Sequence, residues 1–241
     1  MDSAAKRRII VALDFPRLVE AYRMARRLAG CVGMFKVGKQ LFTAEGPEAL
    51  RKLSSLGPRI FLDLKFHDIP NTVAGAVRAA VELPGVALLN VHALGGRAMM
   101  EAAVEAMPRG ATRPKLLAVT ILTSMDQLAM REVGIQGTPH DRAVRLARLA
   151  QECGVDGVVA SPLEVRSIRK ACGPDFLIVP QGIRPAGSSR HDQKRTATPR
   201  ETIRNGADYI GVGRFITQAA DPAEAARAVA AEIAEALQHS N

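Results

Sequence analysis

Short apolar runs alternate with amphipathic stretches from one end of the chain to the other. The runs predict strands over 8–15, 34–41, 59–66, 88–93, 115–122, 154–161, 176–183 and 209–216. Between them, apolar residues at helical spacing predict helices over 18–28, 47–56, 73–83, 97–107 and 143–153, with a short one over 125–133. A final helix opens at Asp221, which has the chemistry of an N-cap, with Pro222 at the first helical position and Glu224 placed for a capping box. Continuous apolar strands alternating with helices predict a parallel sheet covered on its outside. Eight such units in 241 residues fit the α/β architecture of a single (β/α)8 TIM barrel. A doubly wound open sheet is the alternative, but the Gly-rich dinucleotide turn that should follow its first strand is missing. No linker or shift of composition divides the chain, so residues 1–241 read as one barrel domain.

Composition narrows the class of function. Hydrophobic residues make up 47% of the chain, enough for a substantial core. No run of about 18 apolar residues appears, so no membrane span is expected. The first eight residues are polar and lack the apolar region of a signal peptide. Cys31, Cys153 and Cys172 lie far apart without metal-ligand spacing, which suits reduced thiols in a cytoplasmic protein. The formal charge of +9 raises the question of nucleic acid. The basic residues are scattered over helix faces with few aromatics between them, and no nucleic-acid module motif is present. Attraction of an anionic substrate, or solubility alone, accounts for the charge.

In a barrel of this kind the chemistry sits at the C-terminal ends of the strands. The third strand carries Asp63-Leu64-Lys65-Phe66-His67-Asp68. Residues two apart share a strand face, so Asp63 and Lys65 point the same way. A lone pair of this kind reads equally as a structural ion pair. The second carboxylate, Asp68, leaves negative charge over, which favours a site that holds a lysine protonated. Asp14 ends the first strand and is either a site residue or a cap for the next helix. Lys36 lies among apolar residues of the second strand, where snorkelling is the alternative. His92 and His67 read as hydrogen-bonded core histidines or as catalytic groups. Thr123 and Ser124 end the fifth strand, offering hydroxyls to a polar ring or caps to the short helix after them. Gly213 and Arg214 end the eighth strand, where glycine admits phosphate to the backbone and arginine adds a forked donor. Arg184 closes the seventh, before a polar, small-residue loop over 186–195 that suits a mobile lid.

These stretches together resemble the orotidine 5'-phosphate decarboxylase family, in its bacterial form. The matching segments are 12–14, 35–38, 61–72 (FLDLKFHDIPNT), 119–124 (VTILTS), 182–185 and 206–216 (GADYIGVGRFI), in the expected order over nearly the whole chain. The D-x-K-x-x-D segment is the specific one; G-x-G-R alone is not. Gln181 departs from the family pattern, which runs from proline straight to glycine, and bears on the register of the seventh strand.

The resemblance implies cofactor-independent decarboxylation of orotidine 5'-monophosphate to uridine 5'-monophosphate, with no metal. It implies a charged array of Lys36, Asp63, Lys65 and Asp68, with Lys65 as proton donor. Asp68 and Thr72 would come from the other subunit of a homodimer, with Ile69 beside them at the site. Asp14, Lys36 and Thr72 would hold the ribose hydroxyls. Thr123 and Ser124 would face the pyrimidine, and Arg184, Gln193, Gly213 and Arg214 the phosphate. Magnesium-dependent sugar-phosphate decarboxylases and synthases of the same superfamily are the alternative. They share D-x-K-x-x-D but carry a glutamate on the second strand, where this chain has Lys36. A noncatalytic nucleic-acid-binding barrel is a more distant reading, opposed by the scattered charge.

Overall fold

Eight parallel strands make one sheet in the order β7-β6-β5-β4-β3-β2-β1-β8. They are β1 (Ile9–Ala12), β2 (Met34–Gly38), β3 (Arg59–Phe66), β4 (Val86–His92), β5 (Lys115–Val119), β6 (Gly157–Ala160), β7 (Leu177–Pro180) and β8 (Ile210–Val212). The computed structural model describes residues 3–184 and 196–238. The seam between β7 and β8 is closed by a parallel bridge from Gln181 to Gly211 and by the Asp208 N–H donating to the Ile178 carbonyl at 3.0 Å. The sheet is therefore a barrel, with helices between successive strands, and the doubly wound alternative falls away.

Its two faces explain the sequence pattern. Ile10, Met34, Phe61, Leu88, Leu117, Val119, Val159 and Val179 form one buried cluster that fills the barrel. Their strand neighbours Ile9, Val11, Phe35, Ile60, Leu62, Leu89, Leu116, Val158 and Ile178 belong to a second cluster, shared with the helices. Both faces are dry, which is why the strands read as continuous apolar runs. Among the described residues no helix is long and apolar enough to cross a membrane.

Five predicted strands, β1, β2, β5, β7 and β8, run three or more residues past their true ends: β1 stops at Ala12 and β7 at Pro180. β2 stops at Gly38, and the Leu41 that extended the prediction lies on the helix Lys39–Glu45. β8 stops at Val212, and Ile216 lies on the helical turn Arg214–Thr217. β5 stops at Val119, three residues short. A short apolar run looks alike on a strand and on the helix that follows it. The helix predicted from 73 begins earlier, at Pro70, which supplies the fixed φ favoured at a first turn. The final helix is Pro222–Gln238, and Asp221 accepts from the N–H groups of Ala223 and Glu224 as its capping role requires. Gln181 leaves the register of β7 intact: Ala160 pairs with Pro180, and the Gln181 N–H donates to the Ala160 carbonyl.

Candidate active site

The interior cluster sets the site by simple alternation. Two residues beyond Met34, Phe61 and Leu88, on the same strand faces, come Lys36, Asp63 and Asn90. The barrel interior thus changes from apolar to polar within one step of the pleat. Lys36 is 6% exposed, Asp63 2% and Asn90 fully buried. Asp63 Oδ2 lies 3.2 Å from Lys36 Nζ, and Asp63 Oδ1 accepts from Lys65 Nζ at 2.6 Å and from Asn90 Nδ2 at 2.7 Å. Lys36 Nζ also donates to Asp14 Oδ1 at 3.0 Å. Lys36 is therefore no snorkelling lysine; its ammonium is clamped between two carboxylates inside the barrel.

The charge states follow from these contacts. Burial pushes Lys36 toward its neutral form, but Asp63 and Asp14 outweigh it and hold the ammonium above its ordinary pKa. Burial would likewise raise the Asp63 carboxyl. Lys36, Lys65 and the hydrogen bonds from Lys65 and Asn90 reverse that and keep it well below the usual carboxylate range. Lys36 and Asp63 are thus both ionised at neutral pH.

β3 is not a regular strand where it carries this chemistry. Leu62 pairs with Leu89, and the next matched pair is Phe66 with Val91. Four steps along β3 therefore cover two along β4, a bulge that takes Asp63 to Lys65 out of the ladder with β4. Lys65 sits at φ 51, the left-handed region, and among the described residues it is the sole non-glycine there. Simple alternation foresaw that Asp63 and Lys65 meet, but not this bulge. The apolar neighbours Leu64 and Phe66, by contrast, are packed on the core.

The other predicted residues fall at the same end of the barrel. Asp14 follows β1 and does not cap the next helix: the Leu18 N–H, at that helix's start, is taken by Glu45 Oε1 at 2.8 Å. Thr123 lines a cavity with Asp14, Lys36, Arg184, Gly213 and Arg214. The short helix Gln127–Glu132 is capped by Asp126, not by Thr123 or Ser124, so those hydroxyls are not spent on it. Ser124 is exposed just beyond the rim of that cavity. Arg184 is buried, donates from Nη1 to the Ile183 carbonyl and, among the described residues, has no hydrogen-bond partner at Nε. Burial and then the nearby Arg214 guanidinium lower its pKa, the signature of cations gathered where an anion is wanted. The whole predicted lid, 186–195, with Gln193, lies outside the described residues.

Asp68, Ile69 and Thr72 stand apart. Asp68 is exposed, and its Oδ1 accepts from the Ile69 N–H at 2.6 Å. Among the described residues Lys65 pairs with Asp63 and not with Asp68. Ile69 is 67% exposed, and Thr72 is exposed in the first turn of the helix Pro70–Val81. His67 and His92 stack at 5.3 Å between ring centroids, and His92 Nδ1 accepts from the Leu94 N–H. His67 is exposed, not a core histidine. Sequence reasoning passed over Asn90, although the alternation from Leu88 places it beside Asp63.

A family model described as "Orotidine 5'-phosphate decarboxylase / HUMPS family" matches residues 7–229. An orotidine 5'-phosphate decarboxylase of Moorella thermoacetica is 56% identical over 235 residues, covering 95% of this chain and 93% of the relative. One from Nitrosospira multiformis is 56% identical over 216 residues, covering 90% of this chain and 89% of the relative. Among solved structures, the orotidine 5'-phosphate decarboxylase of Lactobacillus acidophilus superposes with a TM-score of 0.82 at 38% identity, covering 93% of this chain and 98% of that one.

Proposed function

The chain belongs to the orotidine 5'-phosphate decarboxylase / HUMPS family, and from that premise we propose that it decarboxylates orotidine 5'-monophosphate to uridine 5'-monophosphate, the last step of pyrimidine nucleotide synthesis. The observation that carries the reading is the Lys36–Asp63–Lys65 array, whose Lys36 lines a cavity together with Arg184 and Arg214. The array suits a developing carbanion, the arginines a phosphate dianion.

The bond from ring carbon C6 to the carboxylate breaks, carbon dioxide leaves, and the electron pair stays on C6. That carbanion is vinylic and has no adjacent electron sink. The Lys65 ammonium faces it, stabilises the charge as it forms and delivers its proton to C6. At about 4 Å and an effective dielectric near 20, one such contact is worth roughly 4 kcal/mol. The hardest reactions need about 20 kcal/mol of barrier lowering or more. Lys65 alone does not reach that, so the rest comes from holding the ring and from binding energy at the phosphate end. Asp63 holds and aims the Lys65 side chain. Asp14, Lys36 and a partner's Thr72 take the ribose hydroxyls, and Thr123 and Ser124 face the ring. Arg184, Gln193, Gly213 and Arg214 take the phosphate.

The chain acts as a homodimer in which Asp68, Ile69 and Thr72 reach the neighbouring site. Their exposure and their separation from Lys65 within one chain support this. A cytoplasmic setting suits the free thiols of Cys31, Cys153 and Cys172. The sugar-phosphate branch of the superfamily is disfavoured by Lys36: its ammonium stands beside Asp63, where it repels a divalent cation.

The direct test follows the absorbance of orotidine 5'-monophosphate with EDTA present. Turnover should persist in EDTA, vanish in Lys65→Ala, and be poor for orotidine without its phosphate. Chelator-sensitive turnover, or a Lys65→Ala enzyme near native rate, rejects the reading.

A further inference from the structure

The bulge in β3 leaves a gap in the β3–β4 ladder, and Asn90 fills it. Between the pairs Leu62–Leu89 and Phe66–Val91 lies one residue of β4, Asn90, opposite three of β3. The backbone N–H of Lys65, the last of those three, donates not to a carbonyl but to Asn90 Oδ1 at 2.8 Å. The other end of the same amide, Nδ2, donates to Asp63 Oδ1 at 2.7 Å. That oxygen is the one that accepts from Lys65 Nζ. The two contacts fix which end of the amide is oxygen, because the N–H needs an acceptor and the carboxylate needs a donor.

A lysine at φ 51 has no glycine's freedom to be there. Such a conformation persists only where the surroundings over-determine it. Asn90 is the group that does so, since it holds the Lys65 backbone and the Lys65 partner at once from a fully buried position. Neither an ionised Asp nor an apolar residue makes both bonds, since one needs an acceptor and the other a donor.

We propose that Asn90 is a positioning residue for the proton-donating ammonium, setting the left-handed backbone of Lys65 and the orientation of the Asp63 carboxylate together. It touches neither the substrate nor the reacting atoms; it acts through Lys65 and Asp63. The proposal rests on Lys65 being the proton donor of the decarboxylation.

Two variants test it. Asn90→Ala removes both bonds. Its kcat should fall about 100-fold, the scale of misplacing a catalytic group by about 1 Å. The affinity for the product uridine 5'-monophosphate should stay within about threefold of wild type, because ribose and phosphate contacts lie elsewhere in the cavity. Asn90→Asp keeps the acceptor for the Lys65 N–H and replaces the donor with a second carboxylate facing Asp63. Two carboxylates at that distance retain a shared proton. The variant's kcat should therefore rise as pH falls from 8 toward 5, a limb the wild type lacks. A crystal structure of Asn90→Ala should show Lys65 out of the left-handed region.

Parallel losses of kcat, product affinity and melting temperature in Asn90→Ala overturn the proposal, as does an Asn90→Asp pH profile parallel to the wild type or an unchanged Lys65 backbone. Failure of wild type itself to decarboxylate rejects the functional reading instead. The Lys65 backbone conformation then still decides whether Asn90 holds the bulge.

Discussion

Lys36 and Lys65 share one buried carboxylate, and the difference between them decides their roles. Lys36 has a second anion, Asp14, and is held from both sides. Among the described residues Lys65 pairs with Asp63 alone, and it is the more exposed of the two, which suits the proposed role of proton donor. Gly38 keeps the Lys36 clamp open. A Cβ there would lie 3.0 Å from Lys36 Nζ and 3.1 Å from Asp14 Oδ1, while the backbone, at φ −93, is accessible to any residue. Gly38→Ala therefore acts by crowding and not by strain. Asp14, half exposed, is the partner free to give way, and Lys36 is pinned by buried Asp63. Gly38→Ala should raise KM about tenfold through one charged hydrogen bond weakened by roughly 1.5 kcal/mol, with kcat and melting temperature little changed. Steady-state kinetics beside a thermal melt separates this from a folding defect, in which both would drop.

At the scale of the element, β3 shows what one sequence discloses and what it withholds. Its span, 59–66, is legible to the residue, because a continuous apolar run ends in charge. That Asp63 and Lys65 meet is legible from the pleat. The bulge is not, since it is a relation between β3 and β4 that neither strand encodes alone, and Asn90 went unnoticed for the same reason. The overrun ends of β2 and β8 have another cause: Leu41 and Ile216 pack from helices that continue the apolar pattern without a break. The end of β4 carries a titration. Burial, His67, Lys65 and Lys39 together lower the pKa of His92 from its ordinary 6.5 to about 4. Below pH 6.5 the unfolded chain takes up a proton that the folded protein refuses, so stability is lost as pH falls. The loss grows down to about pH 4, where folded His92 also protonates, and is absent above 6.5. His92→Asn retains an acceptor for the Leu94 N–H without the titrating ring. Melts between pH 7 and 5, above the bulk of carboxylate titration, should slope less for His92→Asn than for wild type. Identical slopes would remove His92 from the account.

For the whole molecule, the barrel order and its C-terminal rim were readable from strand count and strand ends, but the partner for Asp68 was not, because an interface leaves no period in one chain. The reading of Asp68 came from family resemblance, and the single chain agrees with it only in that Asp68 and Lys65 do not pair. Exposed Ile69 and Leu94 add apolar surface at this rim of the kind a twofold partner covers. If two composite sites form across such an interface, complementation follows from symmetry. Lys65→Ala and Asp68→Ala chains should each be nearly inactive alone. In their heterodimer, the Asp68→Ala chain keeps its own Lys65 and receives Asp68 from its partner, while the other site lacks both groups. Random remixing of equal amounts makes about half the dimers mixed, so about one site in four is native-like. Activity after unfolding and co-refolding should climb toward a quarter of wild type, with mixing verified by native mass spectrometry. Mixed dimers without recovered activity would mean that Asp68 serves its own chain or plays no part in the reaction.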